Sequence, residues 1–229
     1  MGQTGHAGGP LFHIGPVGVT QAIVTTWGIM LVLALACWLG TRRLRLDPGP
    51  AQVVLEGALT SIDGAIRAVL PTQSQRVLPF IGTLWVYIVV ANLSGLIPGV
   101  EAPTADLSVT SALAILVFLS VHWFGIRAEG VRAYLRHYLD PSPIMLPFHI
   151  LSEITRTLTL AVRLFGNIMS LEMAALLVLL VGGLLVPIPL LLLHIVEALI
   201  QAYIFGMLAL VYIAGAIQTQ QLKRQKEKD

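Results

Sequence analysis

The stretches TLAVRLFGNIMSLEM at residues 159–173 and HIVEALIQAYIFGML at residues 194–208 decide the fold. Each sets ionisable side chains in an apolar run that continues well beyond it on both sides. From residue 142 to 186 the apolar pattern is almost unbroken, and a helix over that span would be about 68 Å long at 1.5 Å per residue. Bilayer hydrocarbon is only about 30 Å thick, so an upright helix is excluded. Either the segment breaks near Pro143 and Pro147, or it starts on the membrane surface and crosses with a steep tilt. Pro187, Ile188 and Pro189 then turn the chain into a second long apolar segment at 188–219. The expectation is a long tilted helical hairpin.

Composition agrees with that reading over the whole chain. Of the 229 residues, 56% are hydrophobic and 11% charged, and mean hydropathy is +0.82. A soluble domain carries about 25% charged residues, so secreted, fibrous and nucleic-acid-binding classes drop out. The lone cysteine, Cys37, excludes a disulfide framework and a multi-cysteine metal site, and reads as a small buried apolar side chain. The first ten residues contain no Lys or Arg, so they lack the basic region of a cleavable signal peptide, and the first apolar run is expected to be retained.

Outward from the hairpin, the requirement of about 20 apolar residues per crossing predicts spans at 17–41, 77–97 and 107–125. The stretch 51–70 differs. Leu55, Leu59, Ile62, Ile66 and Leu70 recur at helical spacing, while Glu56, Asp63 and Arg67 occupy another side. That pattern predicts an amphipathic helix lying in the interface. Five Lys and Arg fall between the first and second crossings, three after the third and four in the tail at 220–229, against none in the opposite loops. The positive-inside rule then places residues 1–16 outside and the C-terminus in the cytoplasm. The expected fold is an all-α polytopic membrane protein with about five crossing helices and one interfacial helix, in a single integral membrane domain.

The polar residues of the hairpin carry the functional reading. Arg163 sits among Leu160, Ala161, Val162, Leu164 and Phe165, and an arginine near the bilayer centre costs about 2.5–3.5 kcal/mol on insertion scales. It either snorkels to the interface or needs a partner or an aqueous cavity. Arg156 suits the role of interfacial anchor better. Asn167 follows Arg163 by one turn, close enough for its amide oxygen to hold the guanidinium. Glu172, nine residues after Arg163, falls on the opposite side at about 100° per residue. It is expected to face the next helix, where His194, Glu197 and Gln201 form one stripe. Isolated polar groups in spans often only glue helices together, a reading that three ionisable groups in one polar cluster weaken. His149 and Glu153 form an i, i+4 pair on the cytoplasmic half with Ser152 between them, readable by the same logic as a functional pair or as ordinary solvated charges at an interfacial helix start.

Those two stretches, with NLSGLIPG at 92–99 and PTADLSVT at 103–110, resemble the a subunit of F-type rotary ATP synthases over residues 76–217. The resemblance implies a stator beside a rotating ring of c subunits, whose carboxylates exchange protons or sodium ions with two offset aqueous half-channels. Arg163 matches the family's essential arginine facing the ring. Glu172 and His194 match the pair at the half-channel open to the periplasm, and Asn167 and Gln201 match polar partners of the arginine region. The resemblance further implies b subunits of a peripheral stalk and a soluble ATPase sector as partners, a bacterial inner membrane, and no ATP site, cofactor or metal in this chain. Two departures stand out. The family commonly has a glutamate where this chain has His149, which leaves Glu153 one turn later as a shifted acid, and Thr157 replaces a frequent proline. The alternative class, a secondary transporter or channel binding an anion at Arg163, lacks the internal repeats such folds show.

Overall fold

The computed structural model describes residues 12–14, 17–42, 49–97, 100, 102–131, 146–182 and 187–226. Six α-helices account for most of them: α1 Gln21–Thr41, α2 Pro50–Val69, α3 Ser74–Ser94, α4 Leu107–Glu129, α5 Leu146–Gly182 and α6 Pro187–Lys226. Five are long and apolar enough to cross a membrane, and α2 is the exception, as expected for an interfacial helix. The all-α polytopic membrane architecture is therefore present.

Several boundaries differ from the sequence expectations, each for a local reason. The first span does not begin at residue 17. Strand β1 (Phe12–Ile14) pairs antiparallel with β2 (Val17–Val19), Phe12 opposite Val19, and glycine and β-branched residues at 17–19 are poor helix formers. The span expected at 77–97 is α3, which starts at Ser74 and stops before Gly95. The span expected at 107–125 runs on to Glu129, ending at Gly130 with φ 91°, a left-handed conformation that glycine adopts without strain. In the long segment expected at 142–186, Pro147 does not break α5 but sits in its first turn, where its missing N–H costs no bond. Pro187 and Pro189 likewise belong to the first turn of α6 and not to a separate turn. The basic stretch expected as a tail from 220 continues α6 to Lys226. Residues 1–11, 15–16, 142–145, 183–186 and 227–229 of the expected segments lie outside the described residues.

With 37 and 40 residues, α5 and α6 are about 56 and 60 Å long. Both exceed the hydrocarbon thickness, so each must tilt or project beyond it.

The core lies where α3, α4, α5 and α6 meet. Ile81, Ile88, Leu164, Phe205, Leu210 and Ile213 are nearly or wholly inaccessible, packed with Ala91, Ala114, Ala161, Ala202 and Ala209. In lipid, helix association draws on close packing more than on water exclusion, and small residues allow that approach. Gly206 is the extreme case: a Cβ there would overlap the Trp85 indole. Trp85 Nε1 donates to the Tyr203 carbonyl at 3.3 Å, and its ring stacks on Tyr203 with centroids 5.9 Å apart. Helix α1 stands at the periphery, burying only Ala22 and Ile29 while exposing Trp27, Leu31, Leu35 and Trp38, as a lipid-facing span would, and Cys37, expected buried, is exposed with them.

Helix α2 buries Ile66 and neighbouring Leu70 at its C-terminal end against α3. Its N-terminal half exposes Val53, Val54, Leu55 and Leu59. Gln52 donates to Glu56 at 2.7 Å and Arg67 pairs with Asp63 at 2.7 Å along its polar side. Between α3 and α4, a 3-10 turn at Pro103–Ala105 is wedged among α1, α3, α4 and α5. Asp106 caps α4 through the Ser108 amide at 2.8 Å, the local chemistry behind the PTADLS sequence.

Candidate functional site

One side of α5 is largely exposed among the described residues. Phe148, Leu151, Leu158, Val162, Met173, Leu176, Leu177 and Leu180 are exposed, and α6 likewise exposes Leu192, Val196, Ile200, Tyr203 and Val211. Arg163 is exposed at the border of this surface. Among the described residues it forms no hydrogen bond or ion pair.

The expectation that the Asn167 amide holds Arg163 is not met. Asn167 Nδ2 instead donates to Gln201 Oε1 at 2.7 Å, joining α5 to α6 one turn beyond the arginine. Gln201 is 1% exposed, and its own Nε2 has no partner among the described residues. The bond therefore fixes the Gln201 carboxamide with its donor side buried.

Glu172 turns away from Arg163, as the helical angle requires. It is half-buried, and its Oε1 lies 3.4 Å from where a Cβ on Gly95 would stand, with the Asn92 carbonyl 3.7 Å from the same point. His194, 6% exposed, places Nε2 3.2 Å from that carbonyl. Glu172 and His194 thus converge on the last turn of α3, a third helix that the hairpin reading had not included. Asn92 donates through Nδ2 to the Ala198 carbonyl at 3.2 Å. Its Oδ1, like the Thr104 hydroxyl in the 3-10 turn, is buried without a partner among the described residues. Buried polar atoms of this kind cost free energy unless water or an ion satisfies them. Glu197, in the same stripe as His194 and Gln201, is half-buried.

The opposite end of the hairpin holds a cleft of about 410 Å³, lined by Phe148, Leu151, Ser152, Thr155, Arg156, Thr159 and Tyr212. Arg156 lies over the Tyr212 ring, 4.9 Å from its centroid, a cation–π contact that anchors it to α6. The hydroxyls of Thr155 and Thr159 donate to the Leu151 and Thr155 carbonyls at 2.8 and 2.7 Å, leaving their oxygen lone pairs toward neighbours. His149 and Glu153 are half-buried on the same helix but do not line this cleft. The stripe of hydroxyls at 152, 155 and 159 is a feature the sequence reading missed, although its helical spacing was visible. No group of three or more His, Cys, Asp or Glu among the described residues could hold a metal ion.

Along α5, then, Arg163 stands one turn beyond the cleft and about 14 Å before Glu172. The cleft and the Glu172–His194 group thus lie on either side of a cation that is unpaired among the described residues.

Comparison with known proteins identifies the family. Residues 23–214 match the sequence model of the ATP synthase A chain family. The chain is 66% identical over 219 residues to ATP synthase subunit a 2 of Pelobacter propionicus, covering 96% of each chain. It is 57% identical over 228 residues to ATP synthase subunit a of Legionella pneumophila strain Paris, covering 99% of each. Against ATP synthase subunit a 1 of Hahella chejuensis the identity is 60% over 206 residues, 90% of this chain and 88% of the other. With five membrane-length helices and this likeness along nearly its full length, the chain belongs to the ATP synthase A chain family.

Proposed function

We propose that this chain is the ion-translocating stator of a rotary ATP synthase in a bacterial inner membrane, and that Arg163 faces the carboxylates of a rotating c ring. The observation that carries this reading is the unpaired state of Arg163. A guanidinium cannot shed its proton to escape an apolar setting, and no described residue of the chain neutralises it. A counter-charge supplied by a partner fits a cation left unpaired among the described residues. The exposed apolar side of α5 beside it suits a ring of helices that presents one carboxylate at a time.

Two paths lead to that meeting point. On the periplasmic side we assign Glu172, His194 and Glu197, together with the buried oxygens of Asn92 and Thr104. On the cytoplasmic side the cleft along Ser152, Thr155 and Thr159 provides the opening, with His149 and Glu153 one face away at its mouth. Asn167 and Gln201 brace the two helices beside the arginine. The fixed cation favours the ionised form of each approaching carboxylate and thus release of its ion. It also raises a barrier to cations passing directly between the paths, so that ions travel round on the ring. The membrane potential does work of about 2.3 kcal/mol per charge per 100 mV, which a direct leak would waste.

The b subunits of the peripheral stalk and the soluble ATPase sector complete the assembly in this reading, with the N-terminus outside and the C-terminus in the cytoplasm. Affinity purification through a tag on this chain, from membranes in mild detergent, tests the role. Recovery of a multi-copy c ring with soluble ATPase subunits is expected. Recovery of this chain alone, active in ion flux after reconstitution, would establish a self-sufficient transporter instead.

A further inference from the structure

Asn92 lies in the last turn of α3, where the helix tightens. The Leu96 amide bonds to the Leu93 carbonyl at 3.1 Å and the Ile97 amide to the Ser94 carbonyl at 3.1 Å. An α-helix would have directed the Leu96 amide to Asn92 instead. The Asn92 carbonyl is thereby released, and it receives the imidazole of His194, with Nε2 at 3.2 Å. A carbonyl oxygen only accepts, so the hydrogen of this bond resides on Nε2.

We propose that the Asn92 main-chain carbonyl fixes His194 as the Nε2–H tautomer, so that His194 takes up and releases protons through Nδ1 alone. The Asn92 side chain is the positioning group. Asn92 is wholly buried, and its Nδ2 donates at 3.2 Å to the carbonyl of Ala198, one turn along α6 from His194. That second tie pins α3 to the helix bearing the imidazole, and the close fit of Trp85 against Gly206 holds the same pair of helices further along. Uptake of a proton at Nδ1 gives the imidazolium, whose Nε2–H bond to Asn92 becomes charge-assisted and stronger. Release returns the proton from Nδ1 and leaves the Nε2–H bond in place. The ring therefore cannot pass a proton through itself from one nitrogen to the other. It must receive and deliver on the same side. The inference rests on the reading that places His194 in the ion path, but the tautomer is measurable without it.

The test uses the intact complex labelled with 15N-histidine in a histidine-auxotrophic host, with the His194 signals identified by difference against His194→Gln. At a pH where His194 is neutral, a protonated Nε2 and a bare Nδ1 are expected. A protonated Nδ1, or signals averaged between two tautomers, would overturn the proposal. Asn92→Ala, or Asn92→Asp if the alanine variant fails to assemble, removes the Nδ2 donor and should replace the single tautomer by averaged signals. An unchanged spectrum in an assembled variant would refute the positioning role.

Ion flux supplies the separate test of the path. His194→Gln sets an amide nitrogen near the place of Nε2 and should keep the tie to Asn92 while removing the exchanging nitrogen. ATP-driven ion pumping should fall on the order of 100-fold without a matching loss of thermal stability. Normal pumping would overturn the assignment of His194 to the ion path, and the tautomer signal would still decide the hydrogen bond.

Discussion

Replacing Gly206 with alanine is a sharp probe of how α3 and α6 are held together. The added Cβ would overlap the Trp85 indole, a rigid ring already 7% exposed and engaged with Tyr203 through both stacking and its N–H. The indole cannot swing aside as a flexible side chain could. Either the helices separate or the ring leaves its place. Overpacking of this kind costs about 1–3 kcal/mol. Loss of the Trp85 to Tyr203 hydrogen bond adds about 0.5–1.5 kcal/mol, so a total of about 1.5–4.5 kcal/mol is expected. In assembled complexes, thermal release of this subunit, followed by gel electrophoresis across a temperature series, should occur at markedly lower temperature in Gly206→Ala. Trp85→Leu in the same chain should recover part of the loss by making room. A Gly206→Ala variant with unaltered thermal stability and full coupled activity would refute the close approach.

Other expectations follow from single contacts. A double-mutant cycle of Asn167→Leu and Gln201→Leu, read by the same thermal assay, should show coupling of about 0.6–2 kcal/mol, the range for interhelical hydrogen bonds in membranes; additive effects would mean the two amides do not bond. Cysteines at 172 and 194, with Cys37 replaced, should react with a small water-soluble thiol reagent supplied from the periplasmic side. Burial against protein or lipid would suppress the thiolate, and wholly unreactive cysteines in assembled complexes would remove both positions from the outer path. Arg163→Lys should impair coupling although it preserves charge, because a lysine lacks the planar fork and can lose its proton when buried. Near-normal synthesis in that variant would show that a point charge suffices.

Hydropathy alone placed the five long helices, because a bilayer leaves a chain few ways to satisfy its backbone. The ends of those helices were less legible. Residues 17–19 are apolar enough to extend α1, yet pair as a strand, and periodicity cannot tell these apart in three residues. The angular argument correctly separated Glu172 from Arg163. It could not reveal that Glu172 and His194 both reach the end of α3, since the group receiving His194 is a main-chain carbonyl released by a 3-10 turn. The only signal was the NLSGLIPG stretch, whose Gly95 ends the helix and leaves room for the Glu172 carboxylate.

For Asn167, the one-turn spacing pointed to Arg163 as partner. The structure selects Gln201, because Asn167 points toward α6 while Arg163 looks outward from the hairpin. The hydroxyl stripe of Ser152, Thr155 and Thr159 escaped notice for another reason. Ser and Thr in membrane helices commonly satisfy themselves on the preceding turn, so only the cleft beside Tyr212 sets these three apart.

The most direct test of the central claim, that Arg163 both serves the ring and blocks direct passage, is a paired measurement on Arg163→Ala. ATP synthesis driven by an imposed ion gradient and passive ion permeability after removal of the soluble sector are followed in the same inverted vesicles, with Arg156→Gln as the control. Synthesis in Arg163→Ala should drop to background in fully assembled complexes while passive permeability persists or rises, and Arg156→Gln, whose guanidinium is anchored on Tyr212, should lose far less. Coupled synthesis near the unmutated level in Arg163→Ala, or equal losses in the two variants, would contradict the account.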